Sequence, residues 1–182
     1  MVSQQGRQKN KKRSSLLFFI CSGLLFLGIA FSGGLYWYRS QPEQKVIRRF
    51  SALLQQIEKN SVESELINLA IAKGVVNFFA DPADLSFKQR SATLSNGEIL
   101  QIVSRIRNSV DSIALIPDQP RVIFPNPHDY SMARLTATIS LKGDIEDMFS
   151  GGTIYTVVCI YRKDSHGDYL LEAVQVNPLL DH

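Results

Sequence analysis

Cysteine, histidine and tryptophan are scarce in this 182-residue chain, at two, three and one copies. Cys21 lies in an apolar run and Cys159 in a strand-like pattern far from it, so the two are not read as a disulfide. Cys159 reads as a buried, inert thiol. His128, His166 and His182 stand apart from one another and from other ligands. Metal centres need converging ligands, so no metal site is written locally. No glycine-rich phosphate loop and no Asn-x-Ser/Thr acceptor occurs. No serine or cysteine nucleophile has a visible partner, and no cofactor is implied.

Charge is missing from one stretch altogether. The 25 residues Ser14–Tyr38 carry none and are rich in Leu, Phe and Ile. About 20 mostly apolar helical residues cross a bilayer, so 14–38 is expected to span a membrane. Arg7, Lys9, Lys11, Lys12 and Arg13 precede it, whereas only Arg39 follows closely. Basic flanks stay in the cytoplasm, which makes residues 1–13 a cytoplasmic tail and places 43–182 outside, in a bacterial periplasm. Tyr36, Trp37 and Tyr38 are expected at the outer membrane–water interface, where amphipathic rings settle. The competing readings are a signal peptide cleaved after small residues near Ala30-Phe-Ser32, and a lipoprotein modified at Cys21. Gly28-x-x-x-Ser32 and Ala30-x-x-x-Gly34 have the spacing of helix-pairing motifs, but ordinary glycine content in a span is the preferred reading.

The net charge of +3 hides an asymmetry. Residues 1–42 hold six of the 20 basic residues and no acid, leaving 14 basic against 17 acidic residues, or −3, for the rest. The outer part shows no basic stripe, so no nucleic acid partner is expected. The lipid bilayer is the expected partner, together with other envelope proteins or a second copy of the chain.

Hydrophobic periodicity supplies the elements. Val46, Ile47, Phe50, Leu53, Leu54 and Ile57 mark one face of a helix opening at Pro42, with Glu43 and Lys59 suiting its dipole. Asn60-Ser-Val-Glu63 reads as a capping box for a second helix. That helix carries Leu66, Ile67, Ala70, Ile71, Val75, Phe78 and Phe79, is interrupted by Gly74, and stops at Asp81-Pro82. Ser95-Asn-Gly-Glu98 is a clearer capping box, opening a helix that buries Ile99, Leu100, Ile102, Val103, Ile106 and Val110. The period then changes to two. Ser112–Ile116 and Arg121–Phe124 read as short strands parted by Pro117-Asp-Gln-Pro120. Ala133, Leu135, Ala137, Ile139 and Leu141 alternate with polar residues in a half-buried strand. Gly152–Lys163 is apolar on both faces, as an interior strand would be. Asp164–Asp168 is a hairpin loop before a last strand, Tyr169–Asn177. Three helices followed by long strands make an α+β layout, with a curved antiparallel sheet around the helices.

Four segments carry a resemblance. They are Val46-Ile-Arg-Arg-Phe50, Phe78-Phe-Ala-Asp-Pro82, Ser95-Asn-Gly-Glu98 and the ending Tyr161-Arg-Lys through Gly167-Asp-Tyr169-Leu-Leu to Val174. Over about residues 44–177 the chain resembles the nuclear-transport-factor-2-like (SnoaL-like) superfamily, in particular bacterial members with an N-terminal membrane anchor. Tyr169 stands where that superfamily usually has Trp. The resemblance implies a cone of three helices inside a curved sheet. It implies either a binding or assembly domain or a small isomerase- or dehydratase-like enzyme. The membrane-anchored scaffold subunit of type IV secretion systems shares this plan, and Asn177-Pro178 is similar to part of its Asn-Pro-x-Gly motif, with Leu180 in place of Gly.

Catalysis in such a cone uses acidic, His or Tyr groups. The candidates are Asp81, Asp84, His128, Asp129 and Tyr130. All five sit in turn-like contexts that already account for them, so no catalytic, cofactor or metal residue is assigned. Ile145, Met148 and Phe149, among acids in the segment 143–152, are expected either to plug the cone mouth or to form a partner loop. The reading favoured is a non-catalytic membrane-anchored binding or assembly domain. Such a module should have a filled cone and a surface patch. An enzyme should have a deep pocket with a buried carboxylate or histidine.

Overall fold

Among the described residues, three helices and six strands follow one another as α1 (Pro42–Ile57), α2 (Glu65–Val76), β1 (Phe79–Phe87), β2 (Arg90–Leu94), α3 (Asn96–Ser109), β3 (Ile113–Ile123), β4 (Met132–Gly143), β5 (Ile154–Lys163) and β6 (Tyr169–Pro178). The computed structural model describes residues 41–126, 128–143 and 154–179. The stretch 14–38, its interface residues Tyr36, Trp37 and Tyr38, and the loop residues Ile145, Met148 and Phe149 lie outside the described residues. Among the described residues no helix is long and apolar enough to cross a membrane.

The strands form one curved sheet in the order β2-β1-β6-β5-β4-β3. The sheet is mixed rather than wholly antiparallel. β1 runs parallel to β6, with Leu85 beside Val174 and Phe87 beside Val176, while every other neighbouring pair is antiparallel.

α1 forms as its periodicity predicts and presents Val46, Phe50, Leu53 and Leu54 to the core. These side chains pack against Leu135, Ala137 and Ile139 of β4, Val157, Cys159 and Tyr161 of β5, and Leu171 of β6. On β4, Ala133, Leu135, Ala137 and Ile139 are buried, as the alternation requires. β5 lies inside the sheet between β4 and β6. Ser95 caps α3 reciprocally: its hydroxyl accepts from the Glu98 N–H, and the Glu98 carboxylate accepts from the Ser95 N–H at 2.8 Å.

Several expected boundaries move, each for a physical reason. α2 stops at Val76, well before Asp81-Pro82, because Phe79 already pairs with Leu171 and the Leu171 N–H donates to the Phe78 carbonyl. Asp81-Pro82 lies where the β1–β6 register shifts, a place that tolerates a residue without an N–H. Ser64, not Asn60, caps α2. Gly74 does not interrupt that helix. A Cβ there would meet the amide end of the Gln56 side chain of α1, a flexible group that can shift. Leu66 and Ile67 of α2 and Ile102 of α3 are exposed rather than buried. Pro117-Asp-Gln-Pro120 does not separate two strands. It is a bulge in the single strand β3, with Gln119 at φ 43 and the register shifting between Asp118 and Arg121. β3 is an edge strand, where proline costs little pairing.

Two buried cations tie the helices together. Arg107, 1 % exposed, donates to the carbonyls of Gln56, Ile57 and Glu58, to Asn68 Oδ1, and to the Glu63 carboxylate at 2.6 Å. It thus satisfies carbonyls at the end of α1 that have no helical partner. Lys59 does the same for α3, donating to the Arg107 and Val110 carbonyls at 2.7 and 2.6 Å. Lys59 therefore complements the dipole of α3, not that of α1 as its position suggests.

Candidate functional site

Among the described residues, the β1–β2 hairpin and the far end of α1 border a cavity over the sheet. Leu85, Phe87, Arg90 and Ala92 come from the hairpin, and Ile57 from α1. Leu115, Ile139, Leu141, Tyr155, Val157, Val174 and Val176 complete it from the other strands. The cavity measures about 560 Å³, within the 300–1,000 Å³ typical of small-molecule sites. The filled cone expected of a binding module is therefore not what the described residues show.

Alternation builds this wall. On β4 and β5 the residues that point away from solvent line the cavity at their open ends, Ile139 and Leu141 on one strand and Tyr155 and Val157 on the other. The Phe87 and Tyr155 rings stand 6.3 Å apart and tilted, making an aromatic side to it. Burial raises the Tyr155 phenol above its ordinary value, so the group is neutral at physiological pH. The residues with polar side chains in the lining are Ser86, Ser91, Tyr155 and Arg90. No Asp, Glu or His is among the described residues that line it.

The five candidate catalytic residues are not brought together in the cavity. Asp81 accepts from the Asn96 N–H at the start of α3, and Asp84 accepts from the Thr93 hydroxyl across the hairpin at 2.6 Å. Asp129 accepts from both the N–H and the hydroxyl of Ser131 in a local turn. The His128 N–H donates to Asn126 Oδ1, and the His128 side chain is exposed. Tyr130 packs edge-on against Phe124, with ring centroids 5.0 Å apart, and its carbonyl accepts from the Tyr169 hydroxyl. Among the described residues no cluster of three or more His, Cys, Asp or Glu could hold a metal ion. Cys159 is buried, and burial pushes its thiol up to about 12.

Sequence reasoning passes over Arg90. Its hairpin turns at Lys88-Gln89, where Lys88 takes φ 54 without the Gly or Asn that signals such a turn. The alternation of Ala83, Leu85 and Phe87 was the available signal. A second feature is apolar and external. Val62 before α2, Leu66, Ile67 and Leu69 on α2, and Ile102 of α3 are exposed. A groove lined by Leu69, Leu100 and Arg105 runs between the two helices.

No protein-family model matches the chain, and no curated protein matches its sequence. Solved structures do match its fold. A candidate dehydratase of the nuclear-transport-factor-2-like family from Streptomyces avermitilis superposes with a TM-score of 0.55 at 13% identity, over 75% of this chain and 95% of that one. A candidate scytalone dehydratase from Novosphingobium aromaticivorans gives 0.53 at 8% identity, over 84% and 90%. A candidate calcium/calmodulin-dependent protein kinase II association domain from Xanthomonas campestris gives 0.54 at 10% identity, over 75% and 86%. The described domain therefore has the nuclear-transport-factor-2-like fold, an α+β cone with a mixed sheet. That fold carries both catalytic and assembly roles, so function must be argued from the cavity.

Proposed function

We propose that this protein is a single-span, membrane-anchored domain on the outer face of a bacterial inner membrane, and that its cone binds an apolar small molecule without transforming it. The observation that carries the binding part of this reading is the cavity of about 560 Å³, and the uncharged run 14–38 motivates the anchor. Aliphatic and aromatic side chains make most of its wall, and no carboxylate or imidazole is among the described residues lining it. General acid–base catalysis works best with a group whose pKa lies near the working pH, within reach of the substrate. The raised Tyr155 phenol does not meet that need. Binding needs only apolar area and shape.

The test uses residues 42–182 with an uncharged environment-sensitive dye. Saturable binding of one dye per chain is expected, with Ala92→Trp, which fills the mouth, removing it. Unsaturable binding, or binding indifferent to Ala92→Trp, would defeat the reading. The anchor is tested separately. A reporter active only outside the cytoplasm, fused after residue 182, should work, and a cytoplasm-only reporter should not.

Two alternatives have specific support. The dehydratase names of two structural neighbours favour a small cone enzyme. That reading requires Tyr155→Phe to abolish turnover of a bound substrate while leaving dye binding intact. The exposed face of α2 favours assembly. Leu66→Glu should then reduce the sedimenting mass of the solubilised full chain without touching dye binding.

A further inference from the structure

We propose that the natural occupant of the cone is an anionic amphiphile, a single aliphatic chain with a carboxylate-type head held by Arg90. This rests on the reading of the cavity as a binding site and adds the chemical class of its ligand. Arg90 is the one charged side chain among the described residues lining the space. It opens β2 opposite Phe87, just past the turn, so it stands at the rim while Leu115, Ile139, Val157 and Val174 line the wall.

The division of chemistry is that of a head and a tail. Arg90 is exposed, so an anionic head bound there keeps part of its water and escapes the heavy cost of burying a charge. The guanidinium offers a rigid fork of donors that matches a carboxylate in two parallel hydrogen bonds. The nearest acid in β1, Asp84, is engaged by Thr93 and is not part of the lining. A cationic head would meet the like charge of Arg90 there. An uncharged apolar molecule would leave the guanidinium unused. The tail is favoured because an unfilled apolar space forfeits the dispersion contacts that a chain would restore.

The experiment uses the full chain in nanodiscs of phosphatidylcholine, with a diazirine-bearing fatty acid as probe and mass spectrometry of the labelled peptides as readout. Labels are expected in the segments containing Leu85–Ala92 and Tyr155, and Ala92→Trp should abolish them. Laurate should compete on the order of tenfold better than dodecanol in the native chain, because only the acid gains the charged hydrogen bonds. Arg90→Gln should bring the two competitors to parity with circular dichroism unchanged, and Arg90→Lys should retain part of the preference. Equal competition in the native chain would overturn the anionic assignment. If cavity labelling and its loss in Ala92→Trp persist in that case, apolar binding itself stands. No labelling of those segments would overturn both.

Discussion

Replacing Arg107 with methionine keeps the apolar stem but removes five donors from a site that is 1 % exposed. The carbonyls of Gln56, Ile57 and Glu58 then lose their donor, at 3.3, 2.7 and 3.0 Å in the native chain. Asn68 Oδ1 and the Glu63 carboxylate lose theirs as well. A buried acceptor left without a partner costs about 1–3 kcal/mol, and breaking a buried ion pair from one side about 3–5. Glu63 is 22% exposed, so water recovers much of its carboxylate, and the ion pair must be discounted. The carbonyls at the end of α1 have less recourse. Arg107→Met should therefore cost about 3–4 kcal/mol, a large share of the 5–15 typical of a domain. Glu63→Gln should cost about 1 kcal/mol, since an acceptor remains. The double variant should recover no more than about 0.5 kcal/mol over Arg107→Met, because the carbonyls stay unpaired in both. Urea unfolding of residues 42–182, followed by far-ultraviolet circular dichroism, measures all three. A loss under about 1 kcal/mol for Arg107→Met, or equal losses for Arg107→Met and Glu63→Gln, would refute the argument that helix-end carbonyls dominate.

The other expectations follow from burial and titration. Leu135, fully buried on β4, should cost about 2–5 kcal/mol as alanine, while Thr136→Ala on the opposite face should stay within about 0.5 in the same urea assay. A reversed order would mean the wrong face of β4 meets the helices. Glu98 titrates below its ordinary 4.5 because the Ser95 N–H and hydroxyl bond its carboxylate. Its contribution is therefore complete above pH 4.5 and disappears as pH falls through the lowered value. The difference in thermal midpoint between native chain and Glu98→Gln should accordingly be larger at neutral pH than at about pH 3. Cys159, at about 12, is neutral in the fold, so the stability it contributes is present below its ordinary 9.0 and is lost as pH rises above that. In a Cys21→Ser chain a thiol reagent should react only as fast as the protein unfolds. Reaction at the rate of an exposed cysteine would contradict the burial.

Legibility tracked whether a signal was local. The face Val46, Phe50, Leu53, Leu54 fixes α1, the alternation from Ala133 to Ile139 fixes β4, and Ser95 with Glu98 fixes the start of α3. Each of these is a relation between residues a few positions apart. The missed features depend on distant partners. Phe79 could extend a helix, but pairing with Leu171, nearly a hundred residues on, makes it the start of a strand. Glu63 has the look of a capping residue until Arg107 claims it. Leu66 and Ile67 have the periodicity of a core face. The buried contacts of α2 come instead from Asn68, Ala72 and Val75, and Asn68 bonds to Asn108 and Arg107 on α3.

The candidate site is hidden for the same reason, and its position explains why the acids of β1 do not line it. β1 and β2 pair only with each other and, through β1, with β6, so the hairpin's Arg90 meets β3 to β5 only across the cavity. No run of sequence brings Arg90 near Leu115 or Tyr155. The acids that looked catalytic, Asp81 and Asp84, lie on the same strand as Leu85 and Phe87, yet both serve the outside of the hairpin and the start of α3. β1 therefore does two tasks at once. Its carboxylates bond to the hairpin and to the start of the third helix, while Leu85 and Phe87 line the cavity. A substitution that unbraces the hairpin, such as Asp84→Ala, should thus weaken ligand binding without touching the cavity wall. That loss should appear in dye binding to residues 42–182 while Leu135 and the core around it keep their urea resistance. If dye binding is unchanged, the mouth is held by Phe87 and Tyr155 alone, and the bracing role of Asp84 falls.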